Sequence, residues 1–302
     1  MRVLVINEYI EGSGAEQIAK DQIDVLEGQN IDVFHLGFAY KNGQVNNTNW
    51  EDEKHIIISS HIFFKIFFDV FFYIKIRNTI NKIHPDLILL HNVFSSPVAV
   101  YYACRGYKTI QIVHDFKILC PTSMGVLLNN QYKICMGYKC NNCIKLCTNG
   151  FKEMTVMLLR KIQLKEILYF RKKYVQKLLC PSSWLTAITK KYGFNSFTLN
   201  NLTTIQPCSS LYARKTIELN FVAAGGLVLN KGVVFFAEKI VKYPNVTLTI
   251  FGNGGTENDQ IKIQHLSLLS GNRIQYKGLL EHEKLLKQFS IFSFLTYVYI
   301  LL

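Results

Sequence analysis

Thr109-Ile-Gln-Ile-Val-His-Asp-Phe116 is the stretch that decides how this chain is read. Four of its first five residues, Thr109, Ile110, Ile112 and Val113, are β-branched, the composition of a strand buried in a parallel sheet. The apolar run stops at His114 and Asp115. Ligands of open α/β sheets bind just past the carboxyl ends of strands. Histidine is the side chain whose charge changes near neutral pH. His114 is therefore a candidate functional group; the alternative is a structural histidine satisfied at a strand end. Cys120-Pro121 follows, and then Cys135, Cys140, Cys143 and Cys147 in the spacing C-x4-C-x2-C-x3-C. Four thiolates can hold zinc tetrahedrally, or they pack in a loop as reduced thiols.

Upstream, Arg2–Asn7 reads as a first strand, and Glu11-Gly-Ser-Gly-Ala-Glu16 as a turn into a helix ending near Glu27. A glycine turn at a helix N-terminus offers free N–H groups to an anion, although Gln17 stands where a third glycine would complete G-x-G-x-x-G. Ile31–Leu36 is a second strand, 41–54 a polar loop, and His61–Ile76, with six Phe, a buried or interfacial helix. Pro85–Asn92 is a strand ending in polar groups, and Val98–Arg105 a short helix. This alternation predicts a doubly wound parallel sheet.

Downstream, 151–178 carries eight Lys/Arg among Met, Leu, Ile and Phe. It fits a basic amphipathic helix on an anionic membrane, or a solvated face over the core. Leu178–Trp184 runs from a short strand into a helix capped by Ser182 or Ser183. After a linker at 199–215 the rhythm restarts: strand 220–224, turn Gly225–Gly232, a helix to Tyr243, and strand 246–251 closed by Gly252-Asn-Gly-Gly255. A helix at 257–269, strand 273–276, helix 281–289 and strand 291–295 follow. Lys231 sits at a helix start, where an ammonium is unfavourable unless it shares a phosphate with the helix N–H groups; otherwise it is a solvated lysine. Gly252 and Gly254 allow close approach to the backbone, or simply form a strand-to-helix turn.

The 302 residues suggest two domains, and 49% hydrophobic content excludes disorder. A net charge of +13 asks for an anionic partner: nucleic acid, nucleotide phosphates or an acidic membrane. Eight cysteines are too few for a disulfide scaffold, and the short apolar N-terminus reads as a strand and not a signal peptide, so a cytoplasmic location with reduced thiols is expected. A zinc-containing nucleic-acid module is disfavoured because no aromatic–basic RNA-binding sheet motif is present. No Asp-x-Asp is present to hold a divalent ion on a diphosphate.

In order along the chain, Gly12-Ser13-Gly14-Ala15-Glu16, Pro85-Asp86 with His91-Asn92, His114-Asp115, Cys120-Pro121 and Cys180-Pro181-Ser182 resemble motifs of the family 4 glycosyltransferases of bacterial polysaccharide synthesis. The turns Gly225–Gly232 and Gly252–Gly254, and Gly278, match that family's second half. The resemblance implies an α/β GT-B fold, two Rossmann-like domains facing a cleft. An acceptor-side domain would span 1–205, with a Cys-rich insertion at 120–150, and a nucleotide-sugar domain 206–302. It implies metal-independent transfer of a sugar from a nucleotide-sugar donor to a lipid-linked or growing glycan acceptor, with no cofactor required for catalysis; the cysteine spacing adds a structural zinc at Cys135, Cys140, Cys143 and Cys147 as a separate expectation. His114 would stand beside the transferred sugar. Gly12, Ser13, Gly14, Glu16, Gly225, Gly226, Lys231, Gly252 and Gly254 would bind donor and acceptor. The family's Arg on the diphosphate is replaced by Gly226, and its Glu before the lysine by Asn230. No Asp or Glu follows Glu283, so the family's Glu-x7-Glu motif is lacking. The expectation is a C-terminally truncated member with an incomplete second domain, active or a catalytically impaired remnant.

Overall fold

The computed structural model describes residues 1–8, 14–40, 53–60, 68–94, 96–120, 148, 150–201, 219–227, 231–280, 284–285 and 294–295. The chain divides into two compact units, Met1–Thr204 and Ile205–Leu302.

The first unit is built on a seven-stranded sheet, β1 (Arg2–Ile6), β2 (Asp32–Tyr40), β3 (His55–Ser60), β4 (Leu87–Leu90), β5 (Thr109–Ile112), β6 (Lys177–Cys180) and β7 (Ser196–Thr198). Every pairing is parallel and the order is β3-β2-β1-β4-β5-β6-β7. The reversal between β1 and β4 is a topological switch point, where α/β sheets open a crevice at their carboxyl edge. Alternation along the strands sends Val3, Val5, Val33 and Leu89 to one face, against Ile23 of helix α1 (Gly14–Gly28). Leu4, Ile6, Leu36, Ile88 and Leu90 go to the other, under α2 (Val70–Ile83), α3 (Pro97–Ala103) and α4 (Phe151–Tyr174). Helix α5 (Ser183–Lys191) is capped by Ser182, whose side chain accepts from Leu185 N–H.

Two expectations change. The polar-to-aromatic passage hides a strand: His55-Ile-Ile-Ile-Ser-Ser60 pairs with β2 along its full length. The helix expected over 61–76 starts at Val70, and 61–67 lie outside the described residues. Asp69 is the buried N-cap of α2, accepting from Phe72 N–H at 2.9 Å. Its own N–H donates to Ser96 Oγ at 3.0 Å, tying the starts of α2 and α3 together.

The second unit repeats the theme with β8 (Leu219–Ala224), β9 (Val246–Phe251), β10 (Ile274–Gly278) and β11 (Phe294–Leu295), all parallel in the order β10-β9-β8-β11. Helices α6 (Val233–Ile240) and α7 (Glu257–Leu269) cover a core of Ala223, Leu227, Ala237, Leu248, Ile250, Ile263 and Ile274. Arg273 ties sheet to helix: its guanidinium donates to the carbonyls of Val241, Tyr243 and Val246, at and beyond the C-terminus of α6, where the helix dipole favours a cation.

Candidate functional site

The carboxyl edge of the first sheet carries a buried polar group at its switch point. β1 runs into Asn7 and Glu8, 1% and 0% exposed. Glu8 N–H donates to Asn92 O at 2.8 Å, and Glu8 Oε2 accepts from Phe94 N–H at 2.8 Å, so this carboxylate holds the loops after β1 and β4 together. His91 follows β4 and is 0% exposed; its N–H donates to Ile6 O at 2.9 Å. His114 follows β5 and is half-buried. By strand alternation both histidines lie on the α1 face. Their rings stack with centroids 5.1 Å apart and planes at 23°. His91 Nδ1 and His114 Nε2 are 3.0 Å apart, a hydrogen bond. Glu16, in the first turn of α1 and buried, is close enough to act electrostatically on His114.

Burial governs the charge here. Desolvation lowers the His114 pKa below the usual histidine value, against upward pulls from the Asp115 and Glu16 carboxylates. His91 is pushed down to about 3 by burial first, then by His114 and His35. His35 falls to about 4, by burial and by His55. These three imidazoles are neutral at neutral pH.

Behind them runs a buried polar column. Gln111 Nε2 donates to His91 O at 3.2 Å. Arg171 Nε donates to Gln111 Oε1 and Tyr101 OH, each at 2.9 Å, and Arg171 Nη1 to Ile118 O at 3.2 Å. Sequence reasoning passed over Glu8, Gln111 and Arg171. Gln111 does carry a signal, a polar side chain inside a β-branched strand. Arg171 is hidden among the basic residues of α4.

In the second unit the glycines serve the fold first. Gly225 and Gly226 N–H both donate to Phe251 O at 3.0 Å, and Gly252 N–H donates to Gly278 O at 2.7 Å. Gly226 has φ +71°, and a Cβ there would sit 1.8 Å from Asn253 O; one on Gly252 would sit 2.5 Å from Gly226 N. The two turns are stacked backbone to backbone, which accounts for both glycines and leaves no room for a larger residue at 226. Gly254 also takes a positive φ, +105°. The exposed Lys231 lays its stem across Gly225, its Cγ, Cδ and Cε within 3.7 Å of where a Cβ would be. Helix α6 opens after it at Gly232 with no side-chain cap. The start of α7 is instead closed by a capping box of Thr256 and Asp259.

Among the other expected residues, Gly14 begins α1. Gly12, Ser13, Cys135, Cys140, Cys143 and Cys147 lie outside the described residues. Among the described residues no group of three or more His, Cys, Asp or Glu is arranged to hold a metal ion.

Solved structures match this architecture over almost the whole chain. An Anabaena protein, Alr3699/HepE, in complex with UDP superposes with a TM-score of 0.65 at 12% identity, covering 99% of this chain and 74% of that one. Sucrose-phosphate synthase from Thermosynechococcus elongatus gives 0.66 at 11% identity, with 98% and 75% covered. The lipopolysaccharide outer core galactosyltransferase WaaB gives 0.58 at 14%, with 96% and 71% covered. The chain has a GT-B fold. Within GT-B, the two Rossmann-like units are Met1–Thr204 and Ile205–Leu302. No protein-family model and no curated protein matches the sequence.

Proposed function

We propose that this GT-B chain is a metal-independent glycosyltransferase of the family 4 type, moving a sugar from a nucleotide-sugar to a lipid-linked or growing glycan acceptor. One observation carries the reading: the two side chains singled out for ligand chemistry, His114 and Lys231, each lie beyond the carboxyl edge of their own sheet. The diphosphate would be met by Lys231 and the uncapped first turn of α6, a cation beside free helix N–H groups. The amides of Gly225, Gly226 and Gly252 are committed to carbonyls, so in this reading the glycine turns contribute close approach of the backbone and not N–H donors. HepE binds UDP and UDP-glucose in its solved complexes, which supports a nucleotide-sugar donor. His114 would stand beside the transferred sugar as a neutral imidazole.

The same reading puts the chain on an anionic membrane surface. Helix α4 turns Met157, Leu164, Leu168 and Tyr174 to the core, yet leaves Phe151 80% and Ile162 60% exposed, with Met154 and Leu158 on the same side among Lys152, Lys161 and Lys165. No helix among the described residues is long and apolar enough to cross a membrane. The test is to incubate the protein with labelled nucleotide-sugars and bacterial lipid-linked glycans. Transfer of label, lost in His114→Ala, supports the reading; no transfer from any nucleotide-sugar rejects it.

A further inference from the structure

We propose that His91 is a positioning residue that donates from Nδ1 to His114 Nε2 and so locks His114 as the Nδ1–H tautomer. The stacked pair has one hydrogen bond, 3.0 Å long, and two remaining ring nitrogens, His91 Nε2 and His114 Nδ1. Both of these atoms are buried and neither has a hydrogen-bond partner. A neutral pair carries two protons, so two arrangements exist. If His114 donates, the orphan at His91 Nε2 is an N–H, sealed in a residue that is 0% exposed. If His91 donates, that deepest orphan is a lone pair, and the second proton sits on His114 Nδ1, at the half-buried ring. Either arrangement leaves one N–H unpaired; a buried unpaired N–H is costlier than an under-satisfied acceptor, and it costs less on the half-buried His114 than in the sealed His91, so the second arrangement is favoured.

The surroundings agree. The titratable groups facing the pair are Glu16 from α1, Asp115 beside His114, and His35 from β2. The carboxylates act on His114, where they favour an N–H over a lone pair at its free nitrogen, and the neutral His35 acts on His91. His91 itself is fixed from the backbone, by Ile6 O on its N–H and by Gln111 Nε2 on its carbonyl.

The consequence is chemical. His114 offers a hydrogen-bond donor at Nδ1, while its only basic nitrogen is occupied by His91. It suits an acceptor atom on a ligand, such as a hydroxyl or phosphate oxygen, and is unsuited to remove a proton. That ligand role rests on the transferase reading above; the tautomer does not.

Histidine-selective ¹⁵N labelling of the full chain separates the two. Long-range ¹H–¹⁵N spectra at neutral pH should show a pyrrole-type Nδ1 and a pyridine-type Nε2 for His114, and the same for His91. His91→Asn, whose amide nitrogen can stand near the Nδ1 position, should keep the His114 pattern. His91→Leu should release it to a mixture of tautomers and move its titration midpoint up toward the ordinary histidine value. A pyrrole-type Nε2 on wild-type His114 overturns the proposal outright, whatever the variants do. So does an unchanged His114 pattern and midpoint in a folded His91→Leu. The locked tautomer in a protein that transfers no sugar would reject the transferase reading and leave the His91 assignment standing.

Discussion

At the residue scale, burial of His35 and His91 fixes the sign of a pH dependence. Their folded pKa values, about 4 and about 3, lie below the 6.5 of an unfolded histidine. The unfolded chain therefore takes up protons first as pH falls. The stability contributed by the neutral rings is fully present above about pH 6.5 and drains away as pH falls toward about 4 and below, at up to about 1.4 kcal/mol per pH unit for one ring. Urea midpoints should drop between pH 7 and 5, and His91→Asn should flatten that drop; an unchanged slope would show that His91 is not its source. As loss of one positioned hydrogen-bond donor, His114→Ala should cut transfer by roughly 10²–10³, and near-normal turnover would remove His114 from the site. Gly226 supplies a separate check. An added Cβ meets Asn253 O at 1.8 Å on a backbone at φ +71°, so Gly226→Ala should destabilise the second unit by on the order of 1–3 kcal/mol. A melting temperature equal to the wild type's would mean the turns part freely. His114 was legible because an apolar strand stops on it. The reason for glycine at 226 was not, because it lies in a turn 27 residues away in sequence that only the folded sheet brings alongside.

At the scale of elements, the sequence was most informative where a glycine turn separates two segments. The strand expected at 246–251 and the helix expected at 257–269, on either side of Gly252-Asn-Gly-Gly255, are β9 (Val246–Phe251) and α7 (Glu257–Leu269). It failed at β3. His55-Ile-Ile-Ile-Ser-Ser60 leads into an aromatic run whose spacing mimics a helix, and only pairing with β2 resolves the strand. Helix α4 shows why a basic segment is ambiguous. One stripe enters the core through Met157, Leu164, Leu168 and Arg171, while Phe151, Met154, Leu158 and Ile162 face out. Arg171 belongs wholly to the first stripe, its partners all neutral. Arg171→Leu should cost on the order of 1–3 kcal/mol for each buried acceptor left unpaired, seen as a lower urea midpoint; no change would mean the column is dispensable. The outer stripe has its own test. Lys152→Ala with Lys165→Ala removes two charges, each worth about 1 kcal/mol at an anionic bilayer, so partitioning onto acidic liposomes should fall roughly thirty-fold. Equal flotation of both proteins, or equal binding to neutral liposomes, would exclude this helix as the membrane contact.

At the scale of the whole molecule, the chain uses one device twice. Strand order 3-2-1-4 recurs in both sheets, and each carboxyl edge presents a charged or titratable side chain. The doubly wound plan was readable from strand–helix alternation, because parallel strands buried on both faces are apolar without interruption. The pairing of His91 with His114 was not, since 23 residues and a helix separate them until β4 and β5 lie side by side. The central claim is that the second unit binds a nucleotide-sugar through Lys231. It is tested most directly by titrating UDP and UDP-glucose into the full chain and into Lys231→Ala by calorimetry. The account predicts saturable binding to the wild type, weakened by about ten-fold to a hundred-fold in the variant, as expected for loss of one charged hydrogen-bond partner. Equal affinities in the two proteins, or no heat from either nucleotide with the wild type, would contradict it.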